Sequence, residues 1–485
     1  MDTIMKKILI SSLVLAAAVS ASAQNMYDAM SFSQNNYSGS TRSIALGNAV
    51  TALGGDLGMI GINPAGSAVA GYSQITITPG LQLSSVSSAY SNAGESAYGL
   101  ASTTSRMSMN MPNIGISLAY DMRGSSSGLR RFTFALVSNQ TNAYDYAANA
   151  YGTNSMTSKA GEAAFAAQGI SENVLSKFSS FNSSDVSWDI LAAYQGGAFS
   201  TYGVDGRYAA ANQKIGRDAS HVYVPGALSQ VSDISKKGVK RDVVLNFGFD
   251  YSDKLYVGVN FGMPSLSYTY YDNFSESAVN PNDFPVSFND RGGTVSTEFR
   301  SADFNYHYTA EISGIYMKVG AIYLPNDHLR LGAAIQTPSM FEISETWQNS
   351  CSTVYSNSKF NAKGSSPVGE YSYSLVTPYE INLGAAYTFT RGLLSVDYEM
   401  MDYSVMRFSE GGLGYQDDTY FRAQNQANKY FAGVSHSLRI GGEYKLTPEI
   451  SFRAGYSFIT GAEKHWTNTL GEDVDASGFY DNYNA

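Results

Sequence analysis

Two-residue alternation, apolar then small or polar, recurs in about eleven segments from Ile75 to Phe458. In Val243-Val244-Leu245-Asn246-Phe247-Gly248-Phe249-Asp250-Tyr251, one face carries Val, Leu, Phe, Phe and Tyr, and the other carries Asn, Gly and Asp. Period two sends successive side chains to opposite faces of a strand. A soluble sheet buries its fatty face in a core, whereas a membrane barrel turns that face to lipid and keeps the polar one for its lumen.

The ends and composition favour the barrel. Lys6-Lys7, the apolar stretch Ile8 to Ala18 and the A-x-A site Ala21-Ser22-Ala23 read as a signal peptide over residues 1–23, cleaved near Ala23. No later apolar run is long enough for a spanning helix, and mean hydropathy is -0.18, so a membrane location requires a barrel. The one cysteine, Cys351, excludes an internal disulfide framework and a multi-Cys zinc site, and no cofactor or metal is indicated. The 36 Tyr and 46 Gly suit aromatic girdles around a crowded lumen, and a net charge of -10 argues against nucleic acid as a partner.

Residues 24–72 have a different texture from the remainder of the chain. Their small residues and isolated Leu and Ile predict short helices packed closely against something else, a plug or hatch too short to build its own core. Residues 73–485 then read as hairpins, with strands expected near 73–90, 103–122, 130–144, 228–252, 253–274, 299–325, 327–349, 371–390, 391–407, 430–447 and 448–464. Tight turns at Ser252-Asp253-Lys254, Pro325 to His328, Thr390-Arg391-Gly392 and Thr447-Pro448-Glu449 alternate with long loops at 145–227, 275–298, 350–370 and 408–429. That sorting matches periplasmic turns and extracellular loops. The expected outward rows include Val257, Val259 and Phe261, and Ile381, Leu383, Ala385 and Tyr387. The inward rows carry Lys318, Arg330, Glu380, Asp397, Glu399, Arg439, Glu443, Lys445 and Arg453, charges of both signs that can pair inside a filled lumen. Within 145–227, Ala160 to Phe178 and Trp188 to Tyr194 have helical, apolar texture.

Asp253, Leu255, Gly258 and Pro264 recur at identical spacing as Asp327, Leu329, Gly332 and Pro338. Proline cannot donate to a ladder, so Pro264 and Pro338 are candidate strand kinks, read either as fraying into a loop or as an opening in the wall. An odd count of eleven strands would leave unpaired edges in lipid, and the polar ending Asp475 to Ala485 reads as an outer loop, so the chain is expected to be truncated at its C-terminus.

Gly47-Asn48-Ala49, Asp56 and Asn63-Pro64-Ala65, set between a signal peptide and a strand train, resemble the FadL/TodX/OmpP1 family of outer-membrane transport proteins for hydrophobic compounds. The resemblance implies an all-β transmembrane barrel of about 14 strands, with about 11 present here, plugged by an N-terminal hatch. It implies a monomer in the bacterial outer membrane that passes long-chain fatty acids or other hydrophobic small molecules. Capture at the outer loops, passage past the hatch and lateral release into the outer-membrane lipid belong to that expectation. Asn63, Pro64, Ala65, Gly47 and Asp56 would be the hatch motif. Two other functions compete: a general diffusion porin, which predicts an open lumen, and a haem-binding receptor, which needs axial His or Tyr. The five histidines, His221, His307, His328, His436 and His465, form no catalytic spacing with Ser or Asp, so an enzyme is not expected.

Overall fold

The computed structural model describes residues 26–90, 101–122, 128–183, 186–216, 222–290, 293–411 and 418–464, with six further strand residues beyond. The expected signal peptide lies outside the described residues. The N-terminal segment forms α1 (Met26–Ser33), α2 (Thr41–Ala45), a 3-10 turn at Leu57–Met59 and α3 (Gly66–Val69). A long antiparallel wall comes next: β1 (Gln74–Ser88), β2 (Ser102–Asp121), β3 (Leu129–Ala143) and its continuation β4 (Tyr146–Asn154). Residues 159–223 make a cap of α4 (Lys159–Ala166), α5 (Glu172–Leu175), α6 (Trp188–Gln195) and the small hairpins β5 (Phe199–Tyr202) with β6 (Val204–Ala210) and β7 (Lys214–Ile215) with β8 (Val222–Tyr223). The wall resumes with β9 (Leu228–Tyr251), β10 (Leu255–Ala278), β11 (Pro285–Asp290), β12 (Gly293–Tyr323), β13 (Leu329–Gln336), β14 (Met340–Tyr355), β15 (Ala362–Ser365), β16 (Gly369–Val376), β17 (Glu380–Phe389), β18 (Gly392–Asp402), β19 (Arg407–Ser409), β20 (Val434–Lys445) and β21 (Ser451–Ile459), with α7 (Arg422–Phe431) between the last loops.

The pairing order is β1, β2, β3, β9, β10, β12, then β13 with β14, β17 with β16, β18, β20 and β21. All eleven expected segments are strands. Two were expected whole and are broken: 327–349 parts into β13 and β14 around Pro338, and 371–390 into β16 and β17 around Pro378. Each proline removes a ladder donor, and Ser339 and Thr377 bond across the paired breaks. Pro264 acts differently. Its pairing with Asp242 is kept, and only the β12 side skips Met263 and Pro264. The long loop 145–227 also hides β4, which extends β3 alongside β9 in unshifted register.

From β10 to β17 the wall inverts its polarity at the level of these prolines, whereas β1 and β2 keep Leu81, Leu83, Met107 and Met109 exposed there. Below it, Phe261, Met263, Ile315, Met317, Ile335 and Leu383 face outward and are exposed, while Asn260, Lys318, Glu380 and Asn382 are buried inside. Above it, Ser265, Ser267, Glu311, Glu342 and Ser344 face outward, and Leu266, Tyr268, Tyr308, Ile312, Phe341 and Ile343 are buried inside. The strands keep their parity; only the chemistry of each face changes. The lower part of β10, Leu255 to Pro264, has the length of a tilted membrane-crossing strand. The architecture is a transmembrane antiparallel β-barrel wall that rises well beyond its apolar belt.

Inside the belt the opposite charges pair. Lys318 Nζ lies 2.7 Å from Glu380 Oε1, with both side chains fully buried. Arg439 Nη2 lies 2.8 Å from Glu399 Oε2, and Arg453 and Arg42 converge on Glu443 at 2.8 and 3.0 Å. Removing one partner strands a buried charge, so Lys318→Met is expected to cost about 3–5 kcal/mol. Adding Glu380→Met should restore most of that loss, as read by urea unfolding in lipid vesicles.

Candidate functional site

The N-terminal segment fills the lumen of the belt, and seven glycines make room for it. Gly248, Gly258, Gly320, Gly332, Gly384, Gly441 and Gly455 come one each from β9, β10, β12, β13, β17, β20 and β21. A Cβ on any of them would fall inside 3.0 Å of the segment: Ser67, Pro64, Asn63, Thr51 (twice), Leu46 and Gly47 in turn. Several are neighbours in the ladder, since Gly258 pairs with both Gly248 and Gly320, Gly332 with Gly384, and Gly441 with Gly455. The wall thereby presents bare backbone at one level, and the segment's backbone lies directly against it.

Polar contacts fix the same stretch. Asn63 Nδ2 donates to Thr51 O (2.7 Å) and to Ala321 O of the wall (3.1 Å), while its Oδ1 accepts from Ala65 N. Asn246 donates to Pro64 O, and Asn260 to Ile60 O, both at 2.9 Å. Thr51 N donates to Asp397 (2.6 Å), and Arg330 to Leu53 O (2.9 Å). Asp56 caps the 3-10 turn through Gly58 N and accepts from Ser40 Oγ. Gly47 holds a φ of 61° where it meets Tyr456 of β21. The structure therefore gathers Asn63, Pro64, Ala65, Gly47 and Asp56 in one largely buried plug, residues 44–68, against the wall.

Above the plug lies an aromatic chamber that the chain itself fills. Helix α1 inserts Met26, Ala29, Met30 and Phe32 among Tyr268, Tyr308, Ile343, Tyr373, Leu375, Met401, Phe408 and Phe421. Its floor is residues 33–38, which run between two spaces. Ser33, Asn35 and Tyr37 line a small cavity of about 10 Å³ together with Pro264, Ser339 and Pro378. Asn36 and Ser38 line a cleft of about 500 Å³ on the other side.

That cleft is a break in the wall. The β2–β3 ladder runs only from Asn113–Asn139 down to Asp121–Arg131, yet β2 stays paired with β1 up to Ser102. Above Pro112, β2 leaves β3, and the cleft opens between Gly80, Gln82, Asn110, Pro112, Gln140 and Asn142. The deserted edge of β3 is taken by the N-terminal segment: Asn36 N donates to Thr141 O (2.5 Å) and Ser38 N to Gln140 O (2.9 Å). Lys240 Nζ anchors the same stretch through Phe32 O (2.7 Å), Gln34 O (3.0 Å) and Asn35 Oδ1 (3.0 Å). Pro264 and Pro338 thus flank or adjoin the small cavity, and Pro112, which no repeat singles out in the sequence, sits at the larger break. Its signal was present: a proline deep in an alternating segment, opposite Gly80, where the β1–β2 register shifts.

The described histidines take no part in this lumen. His307 stacks on Tyr271 with ring centroids 4.4 Å apart, and His436 bonds Tyr398, both on the outer face; His328 lies in a short turn. His221 and His465 lie outside the described residues.

No family model matches the chain, and no curated protein matches it. Among solved structures it is similar to the CymD monoaromatic hydrocarbon channel, at 11% identity over 88% of this chain and 85% of that one, with a TM-score of 0.42. It is similar to the Pseudomonas putida toluene transporter TodX, at 13% identity over 88% and 84%, with a TM-score of 0.39. It is also similar to a Pseudomonas aeruginosa FadL homologue, at 11% identity over 90% and 94%, with a TM-score of 0.31.

Proposed function

We propose that the chain is a bacterial outer-membrane channel for hydrophobic small molecules, closed to ions by the plug and discharging sideways through the wall. The observation that supports this most is the polarity inversion. An apolar chamber ends on a charged, filled lumen at the height where lipid begins outside. An apolar solute gains about 0.8 kcal/mol for each CH₂ it keeps out of water, so it has no reason to continue down a polar lumen. The β2–β3 cleft offers it the bilayer instead. Residues 33–38 stand between chamber and cleft and act as the door, while residues 44–68 remain seated. Asn63, Pro64 and Ala65 hold the plug, and long-chain fatty acids or monoaromatic hydrocarbons are the ligands to try.

The test is uptake of labelled oleate and labelled toluene by Gram-negative cells that lack their own hydrophobic channel and express the protein. Uptake of either above the empty vector is expected, together with negligible ion conductance in planar bilayers. A large steady conductance in the unmodified protein would sink the plugged reading in favour of a general porin. Asn63→Ala with Pro64→Gly should impair uptake while heat-modifiable mobility on gels, the mark of an assembled barrel, is kept.

A further inference from the structure

The upper chamber is built from tyrosines whose hydroxyls point at carboxylates. Tyr308 Oη donates to Glu345 Oε1 (2.6 Å), and Tyr373 Oη donates to the same oxygen. Tyr270 Oη donates to Asp272 (3.3 Å), and Tyr371 Oη to Glu410 (3.0 Å). Glu463 sets a negative charge beside Tyr27, and Asp28 of α1 brings a further one close to Tyr268, Tyr306 and Tyr308. With these hydroxyls turned back to acids, what the tyrosines present to the chamber is ring face. Tyr27, Tyr270, Tyr306, Trp347, Tyr371 and Phe431 are half-buried on top of the closed core, so their surfaces border its accessible side.

A ring face attracts cations through its quadrupole, and a phenol that donates to a carboxylate is more electron-rich still. The protein already uses such faces in this way. Lys236 Nζ sits 5.6 Å from the Tyr270 ring centroid and 5.9 Å from that of Tyr146, and Lys240 Nζ sits 5.3 Å from that of Phe341. Five carboxylates (Asp28, Asp272, Glu345, Glu410 and Glu463) stand behind the rings. Lys236 is beside Tyr270, and Lys240 is committed to the door below.

We infer that the chamber selects apolar molecules bearing a cationic nitrogen over apolar carboxylates. The inference rests on the channel reading above and narrows its ligand class. A carboxylate would meet Asp272, Glu345, Glu410 and Glu463 at like charge, while the neighbouring cations Lys236, Lys240 and Arg407 are engaged by Tyr270, the door and Asp418. An ammonium would find ring faces and the acids behind them, while its apolar body would replace the contacts that Met26, Met30 and Phe32 now make.

The experiment compares three ligands of one skeleton: trimethyl(2-phenylethyl)ammonium, 3-phenylpropan-1-ol and 3-phenylpropanoate. They are titrated into the full chain in lipid nanodiscs, with intrinsic tryptophan fluorescence and calorimetry as readouts. Binding in the order ammonium, alcohol, carboxylate is expected, with the ammonium about tenfold or more tighter than the carboxylate. Asp272→Asn with Glu410→Gln keeps the rings and should shrink that ratio, as should Tyr371→Leu. A carboxylate that binds as well as or better than the ammonium overturns the inference and leaves the channel reading standing. If none of the three binds to correctly inserted protein, this inference fails, and the channel reading is decided separately by uptake of oleate and toluene.

Discussion

Gly258→Val is expected to turn a sealed protein into an ion-conducting pore without dismantling its wall. A Cβ at this position falls inside 3.0 Å of the Pro64 and Ala65 backbone. Two features leave no cheap way out. The obstructing atoms are main chain, which cannot swing aside as a side-chain tip would. The cross-strand neighbours Gly248 and Gly320 have no side chains to move either. Overpacking a tight site costs about 1–3 kcal/mol and often more. Here the wall is a continuous ladder, and the plug is held by fewer bonds, so the plug is what yields. Once it shifts, the lumen exposes Asn260, Lys318, Glu380 and Asp397, a polar lining that water and ions will fill. Single-channel recording in planar bilayers should show frequent open events in the valine variant and few in the parent. Gly442→Ala is the matched control, since its nearest neighbours are Leu394 Cδ2 at 3.3 Å and Leu393 O at 3.9 Å, both in the wall. Equal leakage in both variants, or silence in both, would show that the glycine level does not seat the plug.

The strands were legible because lipid leaves one face no choice. Val257, Val259 and Phe261 cannot share a side with Asn260 and Lys318, so parity alone located the wall and its pairing of inner charges. What parity could not show was the third dimension. Tyr146 to Asn154 carries little bulky alternation and is a strand only because β9 offers it an edge. The glycines are scattered over two hundred residues and become one level only when the register is known. The polarity inversion was present in Ser265-Leu266-Ser267-Tyr268, where the apolar residues change sides without breaking the period. Read as one alternating segment, it hid the upper edge of the membrane belt. Pro112 was passed over because Pro264 and Pro338 were picked out by a repeat, and a repeat records ancestry more directly than it records where a wall opens.

The second large effect concerns the door. The plug, residues 44–68, is wedged between backbone and backbone and packs the Tyr37 ring into its own cluster, whereas the rest of 33–38 is held mainly by bonds that can be broken one at a time. Two run from Asn36 and Ser38 to the edge of β3, and two come from Lys240, to Gln34 O and Asn35 Oδ1. At a net worth of about 0.5–1.5 kcal/mol for a neutral bond and about 1.5–3 for a charged one, an arriving apolar solute can offset several of them with its own burial. The N-terminal segment therefore divides into a part that stays and a part that moves, and the division can be tested with one covalent bond. Ser38 and Gln140 are opposed across an antiparallel bridge, a spacing of about 4.5–5.5 Å between Cα atoms, which suits a disulfide. Cells expressing Ser38→Cys with Gln140→Cys should lose hydrophobe uptake to the empty-vector level when oxidised and regain it with a reductant. Cys351, buried beneath the cap, offers no accessible competing thiol. Conductance should stay low in both redox states, because the bond immobilises the door and leaves the plug untouched. Undiminished uptake with the disulfide formed would mean that solute reaches the bilayer by a route that never crosses residues 33–38, and the gap beside Pro264, Pro338 and Pro378 would then be the place to look for it.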